Sequence, residues 1–191
     1  MKGHTFWFTG LSGVGKTTLT QRLGDYLSGL GYEVSILDGD AVRDKTGHTD
    51  FSREGRAKQV RRVGGMARDL AEPGAIVICA LISPYEQDRE EVRRAIIGKD
   101  NFSLIFLDSD LDTLIERDTK GLYKKALAGE ISNFTGINDP YEPPNTPDLV
   151  LNTAMQSIED SISVLRTFAL AQLGSMEPQS APQRVGSTGM S

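Results

Sequence analysis

At 191 residues, with 38% hydrophobic and 25% charged, the chain is long enough to bury one substantial core without disulfide or metal staples. A formal charge of −5 leaves no overall basic field for a nucleic-acid polymer, and the single cysteine, Cys79, excludes an intramolecular disulfide or a cysteine zinc cluster. No apolar run reaches the roughly 18 residues of a membrane span and no signal-peptide pattern precedes the first strand, so the expectation is a soluble, cytoplasmic protein with no membrane partner.

His4 to Thr9 is apolar enough for a buried strand, and Gly10-Leu11-Ser12-Gly13-Val14-Gly15-Lys16-Thr17-Thr18 follows it. Gly, four residues, Gly-Lys-Thr is the spacing of a phosphate-binding loop between a strand and a helix. Its glycines let the backbone wrap an anion and turn amide N–H groups inward, and the next helix adds its own free donors. On this motif Gly10, Ser12, Gly13, Gly15, Lys16, Thr17 and Thr18 are the expected contacts of a nucleoside triphosphate. Lys16 is placed to reach the β- and γ-phosphates, and Thr17 to reach Mg²⁺. An ordinary strand-to-helix turn is the alternative; strand, spacing, Lys and Thr together favour a nucleoside triphosphate.

Leu19, Leu23, Tyr26, Leu27 and Leu30 share one helical face, which Gly31 terminates. Glu33 to Leu37 reads as a strand ending in Asp38-Gly39-Asp40, carboxylates at the edge where open α/β sheets bind ligands. Asp-Gly is also a turn signal. Arg43 to Phe51 reads as a loop. Ser52 is an expected N-cap for a helix burying Val60, Val63, Met66, Ala67 and Leu70, and the arginines near its start are candidates to meet an anionic substrate.

Pro73-Gly74 breaks that helix, and Ala75 to Leu81 is a β-rich apolar run of the kind covered on both faces, with Cys79 inside it as core. Ile82-Ser83-Pro84-Tyr85 leads to a helix expected over Gln87–Ile97, then a strand over Phe102–Leu107 and a short helix capped by Asp110. Arg117 to Lys125 is basic and runs through Gly129 into a proline-rich stretch, Phe134 to Pro144. Such a segment suits a cationic lid or an exposed helix with a stiff loop. A fifth strand over Asp148–Leu151 and a helix capped by Ser157 complete a phosphate-loop domain expected over 1–174. Ser, Gly, Pro and Gln then dominate 175–191, a tail expected to lack a packed core.

Alternating strands and helices around one phosphate loop predict an α/β fold: a parallel β-sheet flanked by helices, the three-layer sandwich of phosphate-loop NTP hydrolases and nucleotide kinases. Among phosphate-loop classes, a regulatory GTPase needs an Asn-Lys-x-Asp, which is absent. A mechanical ATPase needs an apolar strand ending in an acid, whereas the best candidate ends in Leu81-Ile82-Ser83. A small-molecule kinase remains.

Beyond the loop, Leu37-Asp-Gly-Asp40 with Arg43, Phe51-Ser52, Arg61-Arg62, Ile82-Ser-Pro-Tyr85, Arg117-Asp118, Lys120-Gly-Leu-Tyr-Lys124, Phe134-Thr-Gly-Ile137 and Pro140-Tyr-Glu-Pro143 resemble the adenylyl-sulfate kinase family over roughly residues 3–170. The resemblance implies ATP- and Mg²⁺-dependent phosphorylation of the 3′-hydroxyl of adenosine 5′-phosphosulfate (APS) by a homodimer. It makes Lys16, Asp38, Asp40 and Lys120 catalytic, with Asp40 orienting the hydroxyl and Thr17 and Asp38 at the metal. Arg43, Phe51, Arg56, Gln59, Ile82, Ser83, Lys120 and Phe134 fall on the acceptor, with Phe51 and Phe134 sandwiching its adenine. Arg117 and Thr153 fall on the ATP adenine, and Lys120 and Lys124 in the lid.

Three departures from the family pattern fall on the acceptor side: Gly55 in place of Asp, Gln59 in place of Asn, and Thr49-Asp50 in place of Leu-Gly before Phe51. Loss of the carboxylate at 55 removes a charge that could orient a neighbouring arginine. The alternatives are a related kinase for another modified nucleotide, such as a cytidine diphosphate derivative, and a non-catalytic nucleotide-binding module.

Overall fold

The computed structural model describes residues 3–174 and 176, and strand β1 (Thr5–Thr9) is buried along its whole length at its centre. β1 pairs in parallel with β3 (Ile76–Ala80) on one side and β4 (Phe102–Asp108) on the other. β2 (Val34–Asp38) and β5 (Leu149–Asn152) form the edges, giving five parallel strands in the order β2-β3-β1-β4-β5. The tail expected over 175–191 lies, except for Met176, outside the described residues.

The period-two alternation of strand side chains divides the core into two layers. Phe6 and Phe8 point with Ile78, Ile105 and Leu107 toward helices α1 (Lys16–Gly29) and α7 (Ile158–Leu173), meeting Leu23, Leu27 and Leu165. Trp7 points the other way with Val77 and Cys79 against Val60, Val63 and Ala67 of helix α3 (Arg53–Ala71). Cys79 is fully buried, and desolvation pushes its thiol pKa well up, so it is a core residue. These two cores make the three-layer sandwich.

Because every strand pair is parallel, all five C-terminal strand ends share one edge. The chain builds outward from β1 first on the β3/β2 side and then on the β4/β5 side, so the loop after β1 sits where the order reverses.

Three sequence expectations change. Met66 and Leu70, expected on the buried face of α3, are 38% and 36% exposed, so that face is narrower than the apolar spacing suggests. Residues 43–51 are not all loop: helix α2 (Gly39–Thr46) follows β2 directly and carries Arg43 on its last turn. Asp38 acts as its N-cap, Oδ1 accepting from the Asp40 and Ala41 amides at 3.0 and 3.3 Å, and Gly47 ends it at φ 63°. With Val42 its main apolar anchor, the helix leaves almost no periodic signal in the sequence. The helix expected over Gln87–Ile97 is α4 (Glu86–Glu91), continuing as a π-helical stretch, Val92–Ile97. Two short helices, α5 (Leu111–Arg117) and α6 (Leu122–Leu127), complete the fold.

Candidate active site

The phosphate loop takes the backbone its glycines permit: Gly10, Gly13 and Gly15 have φ of 146°, 76° and 97°, values that L side chains rarely adopt. The Lys16 ammonium curls over the loop and donates to the Gly10 and Leu11 carbonyls, both at 2.8 Å. Burial pulls its pKa down to about 8; the charge of Asp40 opposes this, Lys120 adds to it, and Asp38 opposes it. Tyr123 of α6, not singled out as a site residue from the sequence, donates its hydroxyl to the Ser12 carbonyl at 2.9 Å and fixes the loop from above.

At the end of β2 the second Asp38 oxygen accepts from the Thr17 hydroxyl at 3.2 Å, tying the start of α2 to the phosphate loop. Asp40, on the first turn of α2, pairs with Lys120 at 3.2 Å, both exposed. Thr17 and Asp38 are hard oxygen donors side by side. Among the described residues no cluster of three or more His, Cys, Asp or Glu forms a metal cage. Such a sparse set fits Mg²⁺, which keeps most of its coordination for water and substrate phosphates.

Facing these groups, Phe51 is 47% exposed and carries the Arg43 guanidinium 4.5 Å from its ring centroid. Arg43 also donates to the Asp50 and His48 carbonyls, and buried Arg56 donates through Nε to the Phe51 carbonyl at 3.1 Å. Gln59 is 2% exposed, with its amide turned onto the Gly39 carbonyl and the Arg62 guanidinium, both at 3.2 Å.

Gly55 and Asp50 depend on each other. The Asp50 carboxylate accepts from the Ser52 amide at 2.9 Å, and a Cβ at position 55 would come within 2.4 to 2.6 Å of Asp50 side-chain and backbone atoms. Gly55→Ala must therefore displace the loop that carries Phe51. We expect a loss of about 1–3 kcal/mol in unfolding free energy, read by urea denaturation, together with a raised KM for the acceptor. Unchanged stability and KM would refute the coupling.

After β3 the chain passes through Ile82 and Ser83. Ser83 holds a left-handed φ of 37°, with its hydroxyl accepting from the Trp7 indole at 3.1 Å and donating to Thr9 at the same distance. Arg89, fully buried, donates to the Ser83 carbonyl at 2.6 Å and to the Glu142 carbonyl at 2.6 Å. The Glu142 carboxylate takes the Glu86 amide, and the Glu142 amide donates to the Pro84 carbonyl, each at 2.8 Å. The proline-rich stretch is thereby latched to the start of α4.

The basic stretch Arg117 to Lys125 has a different support. Asp118 caps α6 by accepting from the Tyr123 and Lys124 amides at 3.0 Å, with its pKa lowered mainly by the Lys124 bond. Arg117 donates to the Thr153 carbonyl at 3.0 Å, so the two residues expected at the ATP adenine do meet. Phe134 packs edge-on against Tyr123, ring centroids 5.0 Å apart.

The phosphate loop, Asp38, Asp40, Arg43, Phe51, Arg56, Ile82, Ser83 and Lys120 line one cleft of about 360 Å³. A second cavity of about 570 Å³ lies between Leu11, Phe106 and the Gly136–Pro143 stretch. Its described lining includes no Lys or Arg, so the smaller cleft is the one built for a triphosphate.

Fold and cleft together define a phosphate-loop kinase. The sequence profile of the adenylylsulphate kinase family matches residues 2–152. The chain is 48% identical to a probable adenylyl-sulfate kinase of Aeropyrum pernix over 89% of its own length and 94% of that protein's. The structure of the APS kinase of Mycobacterium tuberculosis in complex with AMPPNP and APS superposes with a TM-score of 0.82, at 37% identity, covering 88% of this chain and 98% of that one. A hexameric APS kinase from Thiobacillus denitrificans is 32% identical with a TM-score of 0.65, covering 91% of this chain and 29% of the other. The chain belongs to the adenylyl-sulfate kinase family.

Proposed function

We propose that the chain transfers the γ-phosphoryl group of ATP to the 3′-hydroxyl of adenosine 5′-phosphosulfate, releasing ADP and 3′-phosphoadenosine 5′-phosphosulfate. One observation carries the reading: a single cleft is lined by the phosphate loop, by Asp38 and Asp40, and by Arg43, Phe51 and Arg56. The loop suits ATP, and the two arginines with Phe51 suit a nucleotide with an anionic 5′ group.

Phosphoryl transfer asks the protein for in-line positioning and charge stabilisation. The loop amides and Lys16 hold the β- and γ-phosphates, Arg117 and Thr153 flank the ATP adenine, and Arg43 and Arg56 hold the phosphosulfate. Ile82 and Ser83 form the floor beneath the acceptor, Phe51 offers a face to its base, and Gln59 shapes the wall through Gly39; Phe134, packed edge-on against Tyr123, is not among the residues that line the cleft. Asp40 orients the 3′-hydroxyl and takes its proton. Lys120, paired with Asp40 at 3.2 Å, supplies a cation for the transferring phosphoryl oxygens. Thr17 and Asp38 would hold Mg²⁺, which would supply further neutralisation of phosphate charge.

No helix among the described residues is long and apolar enough to cross a membrane; we place the enzyme in the cytoplasm and expect a homodimer, which light scattering tests.

The deciding experiment follows ADP release from ATP and Mg²⁺ with APS, a cytidine diphosphate derivative, ordinary nucleoside monophosphates, or no acceptor. Turnover that requires APS supports the proposal. Preference for another acceptor overturns it and assigns the change to Asp50, Gly55 and Gln59.

A further inference from the structure

Arg56 is 6% exposed, and its guanidinium is held from several directions. Nε donates to the Phe51 carbonyl at 3.1 Å and lies 3.3 Å from Asp139 Oδ2, while Nη2 donates to the Asn133 carbonyl. That leaves Nη1 and one Nη2 hydrogen for a ligand.

Asp139 is held in turn. The Tyr85 hydroxyl donates to both of its oxygens, at 3.1 and 3.2 Å. Tyr85 is 6% exposed and its ring is covered by the Arg53 guanidinium 3.8 Å from the centroid. Arg53 makes a two-point pair with buried Asp88 of α4 at 2.7 and 3.2 Å. A continuous polar path thus runs from α4 through Tyr85 and Asp139 to Arg56, and it appears in no single stretch of sequence. Burial pulls the Arg56 pKa down and Asp139 opposes this, so the carboxylate compensates a buried cation. Burial and Asp139 both push the Tyr85 phenol upward, which keeps it a proton donor.

We infer that Asp139, held by Tyr85, is a positioning residue that aims Arg56 at the anionic group of the acceptor. The inference rests on the proposed role of Arg56 in phosphosulfate binding. A long side chain fixed in its binding geometry before the ligand arrives loses less freedom on binding. Loss of the fixing contact therefore weakens acceptor binding and leaves the ATP half of the cleft alone.

The test is steady-state kinetics for both substrates, with thermal unfolding, on Tyr85→Phe, Asp139→Asn, their double variant and Arg56→Ala. Tyr85→Phe is expected to raise the KM for APS about fivefold and Asp139→Asn roughly tenfold to thirtyfold, with the KM for ATP near wild type; the Tm stays near wild type in Tyr85→Phe and falls in Asp139→Asn, which leaves the buried Arg56 cation uncompensated. Because Tyr85 acts through Asp139, adding Tyr85→Phe to Asp139→Asn should change little more. If Arg56→Ala raises the KM for APS while Tyr85→Phe and Asp139→Asn do not, the inference fails and the role of Arg56 stands. Parallel rises in both KM values with a fallen Tm mark the path as structural support and also overturn the inference. If Arg56→Ala leaves the KM for APS unchanged, or the wild type does not turn over APS, the underlying acceptor reading fails and takes the inference with it.

Discussion

Lys16→Ala lowers kcat by about three orders of magnitude, the cost of removing one preorganised charge from a phosphoryl-transfer site. The fold should survive, because the Lys16 ammonium bonds only the Gly10 and Leu11 carbonyls of its own loop. ADP release within tenfold of the parent rate would remove Lys16 from the chemistry. The same residue gives a pH signature. Its pKa is pulled down to about 8 by burial, so below that pH the nucleotide-free enzyme presents an ammonium to the triphosphate, and above it a neutral amine. The ratio kcat/KM for ATP reports the free enzyme and should fall as pH rises through about 8. In the bound state the phosphates favour the charged form, so kcat should hold to higher pH. A kcat/KM profile flat to pH 10 would contradict this.

Asp40→Asn is the second large effect. An oriented base contributes roughly two to three orders of magnitude in rate, and the amide cannot take the proton of a 3′-hydroxyl. The decrease should appear in kcat, with the KM for ATP changed little, because the phosphate loop is untouched. Asp40 also raises the Lys16 pKa. The pH at which kcat/KM for ATP begins to fall should therefore move below that of the parent. A kcat within threefold of wild type would leave Asp40 no proton-transfer role, and an unmoved pH profile would deny its coupling to Lys16.

Position 55 shows how tertiary structure changes the meaning of a local departure. Read along the chain, Gly55 is a missing carboxylate beside an arginine. In the fold, the space of its side chain is taken by Asp50, and the carboxylate beside Arg56 is Asp139, 83 residues further on. Similarly, Asp38 reads as a metal-side acid or a turn former. It is also the N-cap that starts α2 and moves Arg43 from a loop onto a helix. The basic and proline-rich stretches read either as one lid or as an exposed helix with a stiff loop; in the fold Glu142 and Arg89 latch the second of them to α4.

The phosphate loop, the five strands and the long helices α1, α3 and α7 were legible in the sequence, whereas α2 and the exposure of Met66 and Leu70 on α3 were not. Each of the former rests on neighbouring residues, through glycine backbone freedom, caps and periodicities of 2 and 3.6. The partner of each buried charge was not legible. A guanidinium or carboxylate can be satisfied by any element within about 3 Å, whatever its separation along the chain. Only the packed fold decided that Arg56 meets Asp139, Arg89 meets Ser83 and Glu142, and Tyr123 meets Ser12.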